Sequence, residues 1–235
     1  MHIGLIGGIG VAATVVYYQR LTAAVEALGG PLELTISHGD IQTLIRNNLA
    51  DKRDEQAQVY ARSIKQLAAA GADCVAITSL GGHFCFAETQ ALSALPLISG
   101  VAPLDEYFQS KGIKTVGILG TRVVMATGLY GQLQQTNAVA LDDEIEHLGQ
   151  TYQEMAVAGV CSDAQRRIFL DAGERLIRDR GADAVVLAGT DLNLAFNGQQ
   201  TDYPVIDALD VHVDVLARLA VGNIDLANAM GTHNV

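Results

Sequence analysis

The chain has 235 residues, 49% of them hydrophobic and 17% charged, which is enough apolar material for one large or two ordinary domains and excludes wholesale disorder. Its formal net charge of −11 argues against nucleic acid and anionic membrane surfaces as partners. A local basic pocket would still suit a small acidic ligand.

Tryptophan is absent and aromatics are 5% of the chain, while Ala, Val, Leu, Ile and Gly abound, a mix suited to buried strands under close-packed helices. Cys74, Cys85 and Cys161 are an odd set without metal-ligand spacing, so neither a metal nor a disulfide framework is expected. Cys74 falls in an apolar run and reads as packing. The opening "MHIGLIGGIG" enters a strand at once, without the features of a secretory signal, and no apolar run approaches a membrane span. The expectation is a soluble, reduced, cytoplasmic protein.

In chain order, short apolar runs predict strands at 2–6, 32–37, 74–78, 96–98, 115–119, 138–141, 184–188 and 204–206. Helices are predicted over 12–27, 53–70, 85–92, 103–111, 125–134, 143–158, 163–180 and 210–220. The segment 53–70, "RDEQAQVYARSIKQLAAA", carries apolar residues at helical spacing and stops at Gly71. The last stretch, "NIDLANAMGTHNV", reads as a short helix or a loose tail. Strands alternating with helices predict βαβ units and parallel sheets, an α/β fold.

The pattern is written twice. "GADCVAITSLGGHF" begins at Gly71 and "GADAVVLAGTDLNLAF" at Gly181, an offset of 110. "IGLIGGIG" from Ile3 resembles "VGILGTRV" from Val116, an offset of 113, and "PLIS" from Pro96 matches "PVID" from Pro204, an offset of 108. Landmarks in the same order at nearly constant offset point to two pseudo-symmetric α/β halves. The first is expected to be residues 1–102 with the C-terminal 208–235, and the second 103–207. A cleft between them is the expected site, where the strand-end loops 7–14, 79–84, 120–124 and 189–193 would converge.

"GLIGGIGVAAT" opens a G-x-G-x-x-G/A register at Gly8, but no acidic residue follows at the spacing a dinucleotide site needs; Glu26 and Glu33 are misplaced. Amides at a helix N-terminus there would instead suit a carboxylate. Thr121, in "GTRVV", offers a second such nest.

Taken together, "IGLIGGIG…AAT", "AGADCVAITSLGGH", "VGILGTRVVMATGLY", "GADAVVLAGTDLNL" and "PVIDALDVH" resemble the aspartate/glutamate racemase family across roughly residues 2–220. The resemblance implies paired α/β domains with a small acidic substrate between them, a homodimer, and α-carbon racemisation without pyridoxal phosphate or other cofactor. Family members use two cysteines, one per half, on opposite faces of the α-carbon. Those positions correspond here to Ser79, in Ser79-Leu80-Gly81, and to Gly189, in Gly189-Thr190-Asp191. His83, Thr190 and Asp191 fall where the family motifs have histidine, threonine and an acid. A serine hydroxyl is too weak an acid to be a resting base, and glycine supplies nothing, so the two-thiol route does not transfer.

Substitutes are Cys85, as a thiolate at a helix N-terminus or a small core residue; His83, as a general base or an orienter of its loop; and Asp191, as an acid or base or as the cap of the helix after its loop. Ser79 is expected to touch substrate as a hydrogen-bond donor, and Thr190, polar in the second loop, is a further candidate catalytic residue. Gly8, Ile9, Leu80, Gly81, Thr121 and Gly189 are expected to line the substrate. Arg46 and Arg122 read either as bidentate carboxylate clamps or as surface arginines. Asp40 caps the next helix or faces the site, and His212 has a core or orienting duty; His2 and His233 carry no signal. The expected function is a racemase-like isomerase of a small carboxylic or amino acid, the alternatives being a carboxylate-binding protein or a one-sided lyase or decarboxylase.

Overall fold

The computed structural model describes residues 1–230; His233 and the end of the C-terminal stretch lie outside the described residues. The first half runs β1 (His2–Ile6), α1 (Val11–Ala27), β2 (Glu33–Ser37), α2 (Ile41–Leu49), α3 (Arg53–Ala69), β3 (Cys74–Ile77), α4 (Phe86–Leu92), β4 (Leu97–Ile98). The second runs α5 (Leu104–Ser110), β5 (Thr115–Gly120), α6 (Arg122–Ala126), β6 (Asn137–Val139), α7 (Ile145–Ala158), α8 (Asp163–Arg180), β7 (Ala184–Ala188), α9 (Asn193–Phe196), β8 (Val205–Asp207). Helices α10 (Ala208–Ala220) and α11 (Leu226–Ala229) follow. The two sheets are ordered β2-β1-β3-β4 and β6-β5-β7-β8, all neighbours parallel, so the duplicated motifs produce duplicated topology.

The repeated Gly-Ala-Asp has a local physical reason. Gly71 and Gly181 follow α3 and α8 with φ of +90° and +67°, the left-handed conformation that ends a helix and that side-chain-bearing residues resist. Ala72 and Ala182 are buried beneath the turn. The aspartate then ties its strand to the neighbouring one: Asp73 Oδ2 accepts the His2 amide at 2.8 Å. Asp183 Oδ2 accepts the Lys114 and Thr115 amides at 2.8 and 2.9 Å. One tripeptide stops a helix, fills a small gap and sets strand register.

Strands β3 and β7 are buried throughout, as strands covered by helices on both faces must be. Helix α10 packs chiefly on α1 and also touches β7, β8 and α5 of the second half. Leu209, Val213 and Leu216 join Tyr17, Leu21, Ile3 and Leu5 in one core. Arg20 of α1 locks that packing through Asp207 and Asp210 at 2.7 and 2.6 Å.

Five local expectations are corrected. The segment 41–49, not expected to be regular, is α2, started by Asp40, which accepts the Gln42 and Thr43 amides at 3.2 and 3.0 Å. The predicted helix 125–134 does not form: α6 ends at Ala126, and Gly128, Leu129, Tyr130 and Gly131 have φ of 56°, 57°, 62° and 65°. This left-handed turn costs about 1–2 kcal/mol at each of its two non-glycine residues. The helices predicted from 85 and 143 begin as 3₁₀ turns and become α only at Phe86 and Ile145, and the sixth strand ends at Val139. Of the ambiguous C-terminal stretch, 226–229 form α11.

Candidate functional site

The strand-end loops meet crosswise between the halves. The loop after β7 lies on the start of α1, where a side chain at Gly10 would collide with the Asp191 carboxylate. The loop after β3 lies against β5's end, where a Cβ at Gly81 would come 2.8 Å from Thr121 Cγ2. The two central loops also touch each other, Thr190 Oγ1 donating to the Thr78 carbonyl at 3.2 Å. Gly8 is needed for the same reason as Gly10, since its Cβ would strike that of Ser79. The glycines that mimic a nucleotide fingerprint thus serve close approach of loops.

Ser79 is buried, and its hydroxyl accepts the Gly82 amide at 3.3 Å. Behind it, each successive carbonyl accepts a side-chain donor: Thr190 on Thr78, His83 on Ser79 at 2.8 Å, Tyr130 on Leu80 at 2.8 Å, and Asn48 on Gly81 at 2.9 Å. His83 Nε2 accepts the Gly100 amide at 2.9 Å, so the proton sits on Nδ1 and is donated to Ser79. Both ring nitrogens are committed, and burial lowers its pKa to about 4. Of the two readings of His83, orienting the loop is the one this geometry fits.

Cys85 does stand at the N-terminus of α4, but of its two readings the small core residue is the one its burial fits. The side chain is fully buried, and burial pushes its thiol up to about 11. A short helix offers too little field to offset that desolvation.

For Asp191 the capping alternative is corrected. The residue caps not the helix after its own loop but α1 of the other half, Oδ1 accepting the Ala13 amide at 3.2 Å. Gly10, at the N-cap of α1, makes no side-chain cap bond, so the carboxylate from the opposite half supplies one and meets the positive end of the helix. Its Oδ2 accepts the Tyr152 hydroxyl at 3.2 Å. Burial outweighs both bonds and raises the Asp191 pKa to about 6. Burial, reinforced by the Asp191 charge, holds the Tyr152 phenol well above its ordinary value, so it remains a donor. The Tyr152 ring occupies the space in front of Gly189, where any added Cβ would collide with it.

A narrow cavity of about 20 Å³, room for one water, opens beside these groups between the halves, lined by Ile9, Asn48, Thr121, Arg122 and Tyr152 among others. Thr121 also caps α6, accepting the Val124 amide at 3.4 Å. Arg122 lies 2.8 Å from Glu146 Oε2, but out of line, leaving its buried Nε–H without a hydrogen bond among the described residues. Arg46 points to solvent, bonded to Thr43 at 2.9 Å, so in this arrangement it clamps nothing in the cleft. Asp40 is exposed at the α2 cap, and His212 is buried in the core, its Nδ1 2.8 Å from the Tyr17 hydroxyl.

Tyr152, Tyr130 and Asn48 were missed from sequence. Each lies on an element remote from the glycine-rich loops; only the position of Tyr130 at the end of the "VGILGTRVVMATGLY" motif marked it. Among the described residues, no three His, Cys, Asp or Glu are grouped to hold a metal ion, and no helix is long and apolar enough to cross a membrane.

Solved structures share this architecture. A candidate Asp/Glu racemase from Yersinia pestis superposes with a TM-score of 0.78 at 24% identity, covering 94% of this chain and 99% of that one. Aspartate racemase from Picrophilus torridus gives 0.72 at 20% identity, covering 94% and 95%. An arylmalonate decarboxylase gives 0.53 at 13% identity, covering 96% and 94%. At these identities the likeness is one of fold. The sequence itself matches the family model described as Asp/Glu/Hydantoin racemase over residues 6–216. With nearly its whole length matched, the chain belongs to the Asp/Glu/hydantoin racemase family.

Proposed function

We propose that the protein is a cofactor-independent acid–base enzyme acting at the α-carbon of a small carboxylic or amino acid, with Asp191 in place of the family's thiols. The observation that carries this reading is a buried carboxylate held between the start of α1 and Tyr152 of α7, where the halves meet, with a pKa of about 6. Near neutrality such a group is largely ionised yet only weakly stabilised, which suits a general base. The α-proton passes to Asp191, the C–H electron pair stays on carbon as an enolate-like species, and a solvent-derived proton returns, to the opposite face for racemisation or to the same face for exchange alone. Tyr152 donates to Asp191 and holds it in place. Ser79, on the facing loop, donates a hydrogen bond to the substrate, and Gly8, Ile9, Leu80, Gly81, Thr121, Arg122 and Gly189 shape the space around it. In this proposal the halves part to admit substrate, since the space between them holds only about 20 Å³. A cytoplasmic homodimer is part of the same proposal.

A second reading, one-sided chemistry such as decarboxylation, is favoured by the neutral state of the first-half groups. Ser79 is a hydroxyl, and burial keeps both His83 and Cys85 uncharged at neutral pH. Racemisation needs a proton donor on each face; decarboxylation needs one. The similarity to an arylmalonate decarboxylase agrees with this reading at the level of fold.

Proton NMR in heavy water tests both. The protein is incubated with each enantiomer of aspartate and glutamate and with a panel of small mono- and dicarboxylic acids, including α-substituted malonates. Loss of an α-proton signal that Asp191→Asn abolishes supports the first reading. Carbon dioxide release without prior exchange supports the second, and binding without either sinks the enzymatic one.

A further inference from the structure

Tyr130 occupies a position that local backbone preference opposes. It lies within the run of positive φ from Gly128 to Gly131, a left-handed turn closed by Gly131 and Gln132 amides on the Gly128 and Leu129 carbonyls at 3.3 and 3.2 Å. Glycine tolerates that conformation; leucine and tyrosine resist it. Such an outlier persists only where surrounding contacts over-determine it. Two contacts do so. Leu129 is fully buried in the core, and the Tyr130 hydroxyl crosses to the other half, donating to the Leu80 carbonyl at 2.8 Å and the Gly81 carbonyl at 3.2 Å. The Tyr130 amide is held as well, donating to Thr127 Oγ1 at 3.0 Å.

We propose that Tyr130 is a positioning residue: from a strained turn in the second half, its hydroxyl sets the backbone orientation of the Ser79–Gly81 loop of the first half. The other anchors differ from it in kind. His83 and Asn48 belong to the first half and keep their bonds to Ser79 and Gly81 whatever the second half does. Thr190 acts across the cleft, but on Thr78, ahead of the loop. The Leu80 carbonyl receives its only side-chain donor, among the described residues, from Tyr130. Loop geometry therefore depends on the two halves being together, and parting them to admit substrate releases it. The inference rests on the proposed role of the Ser79 loop in the site, but its physical core can be measured without any substrate.

The test is Tyr130→Phe, which keeps the ring and removes the hydroxyl. Hydrogen exchange by mass spectrometry is expected to quicken by about five- to tenfold in peptides spanning 78–86, the loss of one hydrogen bond, with strands β1 and β7 unchanged. Unchanged exchange in 78–86, or an increase shared by the whole chain, overturns the positioning role. With a substrate found by the NMR assay, kcat is expected to fall about tenfold or more while KM moves less than threefold. The opposite split overturns the link to the site. If 78–86 loosens but the wild-type protein exchanges no α-proton, the positioning stands and the functional proposal fails, so the two can be told apart.

Discussion

The Asp191 carboxylate accepts the backbone amide of Ala13, 178 residues earlier in the chain, and thereby caps the first helix of one half with a side chain of the other. A charge that favours helix α1 is thus held where water is excluded, and its elevated pKa is the cost of that placement. The same carboxylate is a structural tie across the cleft and, in the proposed mechanism, the proton acceptor in it.

Replacing Asp191 by Asn should lower any α-proton exchange by about a hundredfold or more, the usual worth of a general base. In the wild-type protein the rate should rise with pH through about 6 and level off above it, because the deprotonated carboxylate is the active form. The sign for stability is opposite. A raised folded-state pKa means that the folded form holds the proton more tightly than the unfolded chain, so the Asp191 contribution is favourable at low pH and is lost as pH rises through about 6. A rate that falls with pH across this range would contradict the assignment.

Two buried imidazoles push stability the other way. Burial lowers the His83 pKa to about 4 and that of His212 to about 3, the latter with a contribution from His83. Since the unfolded chain titrates near 6.5, their neutral forms favour folding fully above that pH, and the benefit is lost as pH falls through 6.5 toward 4. Urea denaturation at pH 8 and pH 5 should show a net loss of stability on acidification, the two histidines outweighing Asp191 and Asp207, whose carboxyls burial raises. In His212→Phe this acid sensitivity should shrink, whatever the change in stability at pH 8.

Introducing a thiol at Gly189 should fail for a steric reason. Gly189→Cys drives its Cβ into the Tyr152 ring and is expected to destabilise by about 1–3 kcal/mol. In a Tyr152→Leu background the same change should cost at least about 1 kcal/mol less, a coupling that denaturation of the four proteins would measure. Additive effects would show that the ring does not fill that space.

Thiol labelling offers a rapid check on Cys85. Cys74 and Cys85 are buried, with thiols raised to about 12 and about 11, whereas Cys161 is half-exposed. Iodoacetamide at pH 7.5 should modify Cys161 first and reach the other two only on unfolding. Fast labelling of Cys85 in the native state would reinstate it as a nucleophile.

The sequence by itself determined the sheets and their duplication. Apolar runs bounded by Gly-Ala-Asp are local signals: the glycine ends a helix through its own φ, and the aspartate bonds to the strand beside it. The glycine-rich loops and the positions of Ser79, Thr190 and Asp191 at strand ends were legible for the same reason. Helix α2 was not, because a nine-residue amphipathic segment is marginal alone and forms through its packing against α3 and the first-half loop. Nor was the left-handed turn at Leu129 and Tyr130, since no local preference favours it and burial of Leu129 together with the cross-cleft bonds of Tyr130 holds it. Which helix Asp191 caps, what fills the space before Gly189, and which carbonyls Tyr130 and Asn48 hold were decided by tertiary structure alone. Each joins residues 33 to 178 positions apart, and no local pattern encodes that distance.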